Sequence, residues 1–155
     1  MGNDDILFMK EALLMAQKAY LEKEVPVGSV IVDRNGEIIG RGYNLKESAK
    51  LPILHSEIIA ILNAYKNFSG MYLIGCTLYT TLEPCPMCAA ALVNIRISRI
   101  VFAADDPKYG ACGSVFNLAS DPHLNHRIEV MGGVLRDESV NLIKTFFSEL
   151  RREDE

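Results

Sequence analysis

Pro84-Cys85-Pro86-Met87-Cys88 is the stretch whose reading decides the fold. Two cysteines three positions apart, each preceded within two residues by proline, read as a pair of thiolates at the opening turn of a helix. Proline is tolerated there because the first helical N–H groups have no intrahelical partner. The positive end of the helix lowers a thiol's pKa, and the thiolate is the form that binds metal. A second apolar stretch, upstream, opens on His55-Ser56-Glu57. His55, Cys85 and Cys88 together supply three ligands and leave one tetrahedral position for water. Structural zinc sites are closed by four protein ligands, whereas three with an open position is the catalytic pattern. Residues two apart on a regular helix point about 200° from each other. His55 and Glu57 therefore converge only if His55 sits at the helix edge, and Pro52 is consistent with such an abrupt start.

Working outward, the 155-residue chain is expected to be one domain, residues 1–155, large enough to bury a full core. It is 49% apolar and 23% charged, which is globular rather than disordered. Four cysteines, two of them at C-x-x-C spacing, fit a reducing compartment and a metal better than a disulfide framework. A thioredoxin-like redox pair is the alternative for that spacing, but the prolines and the upstream His-x-Glu point away from it. Cys76 and Cys112 lack neighbouring ligands and read as core and loop residues. The start, Asn3-Asp4-Asp5, is not a secretory leader, and no apolar run approaches the roughly 20 residues of a membrane span. A cytoplasmic protein with no membrane partner is expected. The net charge of −4 does not advertise a nucleic-acid binder, whose domains often have a pI above about 9. A local basic rim would suffice for a compact RNA hairpin, and Arg96, Arg99, Lys108, Arg127, Arg151 and Arg152 are candidates for one.

Ile6, Met9, Leu13, Ala16 and Tyr20 recur at helical spacing, so a first helix should run from an N-cap at Asn3 or Asp4 to about Lys23. Gly28 to Asp33 and Glu37 to Tyr43 are β-rich, and Asn35-Gly36 between them marks a hairpin turn. Leu45 to Ile53 is a loop delivering His55. Ile58, Ile61, Leu62 and Tyr65 predict a largely buried helix ending before Ser69-Gly70. Cys76 to Thr81 is a third strand, Pro84 to Asn94 a helix, and Arg99 to Ala103 an internal fourth strand. The long stretch from Asp105 to His126 has no period of its own, and a short helix over Ser114 to Leu118 is expected within it. Ile128 to Met131 is a fifth strand. Val140, Ile143, Phe147 and Leu150 predict a terminal helix, acidic at its start and basic at its end as its dipole prefers. Strands alternating with helices around one sheet argue an α/β fold, a three-layer α/β/α sandwich, and the hairpin makes the sheet mixed.

The order H-x-E…P-C-x-x-C resembles the signature of zinc nucleobase deaminases. In that site class, water in the open position is activated by Zn²⁺ and gives its proton to Glu57. A ring carbon bearing an amino group is attacked, and Glu57 returns the proton to the ring nitrogen and then to the departing amine. Further segments resemble the bacterial tRNA-specific adenosine deaminase family nearly end to end. They are Glu24-Val25-Pro26-Val27-Gly28, Thr81-Leu82-Glu83-Pro84-Cys85, Arg96-Ile97 with Arg99, Asp105 to Ser114, Asn125-His126-Arg127, and Phe146-Phe147 with Leu150-Arg151-Arg152. The resemblance implies a cytidine-deaminase-like fold with a five-stranded mixed sheet, one zinc per chain, and a homodimer. It implies conversion of the wobble adenosine of an arginine tRNA to inosine, the partner being the anticodon stem-loop. Glu57 matches the proton shuttle, and Asn44 the asparagine that contacts the flipped nucleoside. Asp105, Lys108, Asn125, His126 and Arg151 fall where the family contacts the anticodon loop, and Phe147 lies in the same tail. Ser56 stands where the family usually has Ala, at the base pocket, and Tyr109 stands at the pocket mouth where a smaller residue is common. A deaminase of free bases or nucleosides of the guanine or cytosine type shares every zinc residue. A zinc-stabilised RNA-binding module is the rival outside catalysis, and the intact Glu57 argues against it.

Overall fold

Along the central strands, successive side chains enter two separate cores. Val30 and Val32 pack to one side of the sheet with Tyr79, Val101 and Ala103. Ile31, Leu78, Ile100 and Phe102 pack to the other. This is the period-2 alternation of a sheet covered on both faces. The computed structural model describes residues 2–154. Five strands, β1 (Gly28–Val32), β2 (Ile38–Tyr43), β3 (Thr77–Leu82), β4 (Arg99–Ala104) and β5 (Glu129–Met131), form one sheet in the order β2-β1-β3-β4-β5. β1 is antiparallel to both β2 and β3, while β3, β4 and β5 run parallel. The sheet is therefore mixed, and β4 is internal, as expected.

Helix α1 (Asn3–Leu21) lies on the first face through Met9, Ala12 and Met15, and α4 (Arg136–Glu153) packs beside it over β4. On the second face, α2 (Ser56–Lys66) buries Ala60, Ile61 and Ala64 against β1 and β2. Helix α3 (Pro86–Asn94) buries Ala89, Leu92 and Val93 in the same core. The result is the α/β/α sandwich. The close approach of α2 depends on Gly42 of β2, where a Cβ would come within 2.4 Å of the Ser56 carbonyl oxygen. No helix among the described residues is long and apolar enough to cross a membrane.

Four expectations need correction. The first helix starts at Asn3 with Gly2 as its N-cap and no side-chain cap, so neither Asn3 nor Asp4 caps it; Asp5 in its first turn pairs instead with Arg99. That pair also removes Arg99 from the basic rim and puts it between α1 and the sheet. Leu62 is 58% exposed, since α2 meets the sheet through small residues and turns Leu62 outward. Ser114 to Leu118 forms no helix. The segment is an irregular loop with one isolated bridge, Cys112 to Asn117, and its order comes from a side chain of another element.

Candidate active site

Two helix starts meet at the end of β3. His55 is the N-cap of α2 with φ −73 and ψ 156, and Cys85 is the N-cap of α3 with φ −73 and ψ 173. Both are extended, so neither side chain is bound by helical periodicity. This is how His55 and Glu57 face one site although two residues separate them. Pro86 and Met87 open α3, and Cys88 completes its first turn. His55 Nδ1 lies 3.6 Å from Cys85 Sγ and 3.6 Å from Cys88 Sγ. All three ligand atoms lie within 4.8 Å of one another.

The fit to zinc can be tested from bond lengths alone. Tetrahedral Zn–S and Zn–N bonds of about 2.3 and 2.05 Å place sulfur and nitrogen about 3.6 Å apart. The observed separations match, and the donor set is the borderline-soft one that zinc prefers. Two helix dipoles point positive ends at the thiols. The hydrogen bond with Cys88, and a further one with His55, hold the Cys85 thiol down to about 4 against the opposing effect of burial. The Cys85 contact and burial push Cys88 up. A cation between them removes this competition, because a coordinating thiol is deprotonated outright. The contact with Cys85 likewise raises His55.

Glu57 is 4% exposed, and burial pushes its carboxyl above the usual carboxylate range. Its Oε1 accepts a hydrogen bond from Ser56 Oγ at 2.8 Å. A cavity of about 330 Å³ opens over these groups, within the range of small-molecule sites. Its lining includes Asn44, His55, Ser56, Glu57, Cys85 and Phe147. Asn44 is 8% exposed and joins two parts of the wall, its Nδ2 donating to the Val25 carbonyl and its Oδ1 accepting from the Lys46 amide. Phe147 stands at the border between this cavity and a second, mostly apolar hollow of about 440 Å³ that also contains Asp105, Lys108 and Lys144. Tyr109 lines both.

The remaining expected contacts lie elsewhere. Asn125 lines a separate hollow with Asn94 and Arg96, at the far end of α3 from the cysteines. His126 Nε2 is 2.6 Å from the Ile97 carbonyl oxygen. Arg151 is exposed in the last turn of α4. His123 pairs with Asp121, away from the ligand triad. Cys76 and Cys112 are buried, as core and loop residues should be.

Sequence reasoning missed two buried carboxylates that build the walls. Glu83 is 2% exposed and accepts hydrogen bonds from the amides of Asp106, Cys112 and Ser114 and from the Ser114 hydroxyl. Glu24 is fully buried and accepts from the amides of Glu47 and Ser48 and from the Ser48 hydroxyl. An acid before a proline, as Glu83 is, or a few residues past a helix, as Glu24 is, carries no local signal of such a role. Lys46, at the cavity wall, was missed as well.

Residues 2–104 match the family model of the cytidine and deoxycytidylate deaminase zinc-binding region. A tRNA-specific adenosine deaminase of Bacillus subtilis is 47% identical over 148 residues, covering 96% of this chain and 91% of the relative. One from Haemophilus influenzae is 46% identical over 149 residues, covering 96% and 86%. The chain belongs to the tRNA-specific adenosine deaminase family. A solved structure from work on A-to-I editing by deaminases at the wobble position of transfer RNA superposes with a TM-score of 0.83 at 38% identity. That superposition covers 88% of this deaminase and 98% of the solved chain. The cytidine-deaminase-like fold is thereby established, the matched family region is a zinc-binding one, and the triad His55, Cys85 and Cys88 is the candidate zinc site.

Proposed function

We propose that this protein hydrolyses the wobble adenosine of a transfer RNA to inosine and ammonia. The observation that carries this reading is the buried Glu57 carboxylate at the floor of a base-sized cavity, beside three ligands that leave a coordination position open. The relatives at 46–47% identity support the substrate. His55, Cys85 and Cys88 would hold zinc, which would supply acidification of a water at neutral pH. Glu57 takes a proton from the attacking water and returns it to the ring nitrogen, and a second transfer through the same carboxylate completes the departing ammonia. Water supplies the oxygen gained at C6 and ammonia carries away the nitrogen, so the atoms balance. Val25, Val27, Leu82 and Phe147 exclude bulk water from the base.

We assign Asn44 and Phe147 to the flipped nucleoside, and Asp105, Lys108 and Arg151 to the flanking nucleotides. Their positions in or beside the two adjoining cavities or at the end of α4 support this. Asn125 and His126 would reach the anticodon loop from the other end of α3. We infer an arginine tRNA as substrate, a cytoplasmic location, one domain carrying the whole activity, and a homodimer. The exposed apolar side chains on and around α2, Leu51, Ile53, Leu62, Met71 and Ile74, support the dimer.

The test is incubation with an arginine tRNA anticodon stem-loop and, separately, with free adenosine, guanine and cytosine. Inosine in the stem-loop, with the free compounds unchanged, is expected. Deamination of a free base with the stem-loop untouched would assign the site to small molecules instead.

A further inference from the structure

Beneath Glu57 runs a row of three hydroxyls from three different elements: Ser56 at the start of α2, Ser29 in β1 and Thr80 in β3. All three residues are fully buried. Ser56 Oγ donates to Glu57 Oε1 at 2.8 Å and lies 2.7 Å from Ser29 Oγ. Ser29 donates to Thr80 Oγ1 at 2.9 Å, and Thr80 donates to the Leu82 carbonyl at 3.2 Å. Their neighbours in the same core are Ile31, Ala60 and Leu78. Burying hydroxyls costs stability unless each finds a partner, and apolar residues of similar size would fill the space with no such requirement. Here every buried side-chain nitrogen or oxygen among the described residues has a partner.

We propose that Ser56, braced by Ser29 and Thr80, is a positioning residue that fixes the Glu57 carboxylate for proton transfer. The proposal rests on the deaminase reading above. Although Ser56 borders the cavity, its hydroxyl is engaged below it, on Glu57 and Ser29. Gly42 permits the close packing of β2 against the Ser56 backbone, so the whole residue is pinned. The four contacts draw on only three hydroxyl protons. The row can therefore direct its protons toward Glu57 or away from it to the Leu82 carbonyl. Glu57 keeps a partner in place whether or not it is carrying the proton it shuttles.

The experiment measures kcat and KM on the anticodon stem-loop for the zinc-loaded protein and for Ser56→Ala, Ser29→Ala and the double variant, with zinc content and melting temperature as controls. Losing the hydrogen bond that holds Glu57, Ser56→Ala should lower kcat roughly tenfold or more with KM unchanged. Ser29→Ala should lower kcat by a smaller factor. The double variant should be no slower than Ser56→Ala alone, because Ser29 acts only through Ser56. An unchanged kcat in a folded, zinc-loaded Ser56→Ala overturns the proposal. So does a change confined to KM, which would make Ser56 a substrate contact, or two losses that multiply in the double variant. Should Ser56→Ala fail to fold, Ser29→Ala decides: kcat equal to the parent overturns the proposal. Wild-type protein inactive on every substrate would overturn the deaminase reading and this proposal with it. Active wild type with an unaffected Ser56→Ala would overturn the positioning role alone.

Discussion

Glu57 sits where a charge is expensive: 4% exposed, with burial raising its carboxyl pKa, yet placed against two thiols and an imidazole. The Cys85, Cys88 and His55 atoms are close enough to hold zinc without it, so its loss should separate chemistry from metal binding. Glu57→Gln keeps the size and an acceptor for Ser56 while removing the ability to take a proton. Turnover should fall by about 10²–10⁴-fold, the usual span for losing a positioned general acid–base group. Zinc content by elemental analysis should stay at one per chain. The melting temperature should not drop, because a neutral amide is cheaper to bury than a carboxylate. A glutamine variant that loses its zinc would mean that Glu57 is a ligand. At this scale the sequence was informative, because His-x-Glu and C-x-x-C each state a chemistry within a few residues. It was uninformative for Glu24 and Glu83, whose partners are more than twenty residues away in the chain.

The long segment after β4 shows the same limit on a larger scale. No periodicity marks residues 105–126, and the helix expected over Ser114 to Leu118 does not form, because the order comes from Glu83 at the end of β3. Three amides and one hydroxyl converge on its carboxylate, and Gly110 lies so close that a Cβ would fall 2.5 Å from it. The segment that carries Asp105, Lys108 and Tyr109 is thus fastened to the strand that leads into Cys85. By contrast, the hairpin at Asn35-Gly36 and the helix α3 were legible, the latter expected from Pro84 and found from Pro86, since their determinants are adjacent in sequence. Glu83→Gln replaces an acceptor by a group with two N–H donors of its own, facing donors. Hydrogen bonds to a charged group are worth about 1.5–3 kcal/mol, so a destabilisation of about 2 kcal/mol or more is expected in urea unfolding. The amides of Cys112 and Ser114 should lose hydrogen-exchange protection, and KM should rise with the loosened wall. Unchanged protection at both amides would show that the loop holds itself.

On the scale of the molecule, the first face of the sheet is tied together by charge as well as by packing. Asp5 of α1 accepts two hydrogen bonds from Arg99 of β4, at 2.8 and 2.9 Å, and one from Tyr79 of β3 at 2.7 Å. In sequence, nothing singles out Asp5, and Arg99 is only one candidate for a basic rim. Only the packing of α1 across the strands makes them partners, which takes Arg99 out of the candidates for a basic rim. The Arg99 hydrogen bond is the main reason that the Asp5 carboxyl is lowered from 3.8 to about 2, against the opposing effect of burial. A carboxyl lowered on folding contributes stability that is fully present above its unfolded pKa, near 3.8, and is lost as the pH falls through about 2. That shift corresponds to about 2 kcal/mol. In urea titrations, the gap in unfolding free energy between the parent and Asp5→Asn should be widest from pH 5 to 7 and should narrow between pH 4 and 2. A gap independent of pH across that window would mean that the pair holds α1 by shape and neutral hydrogen bonds, with its charge contributing nothing.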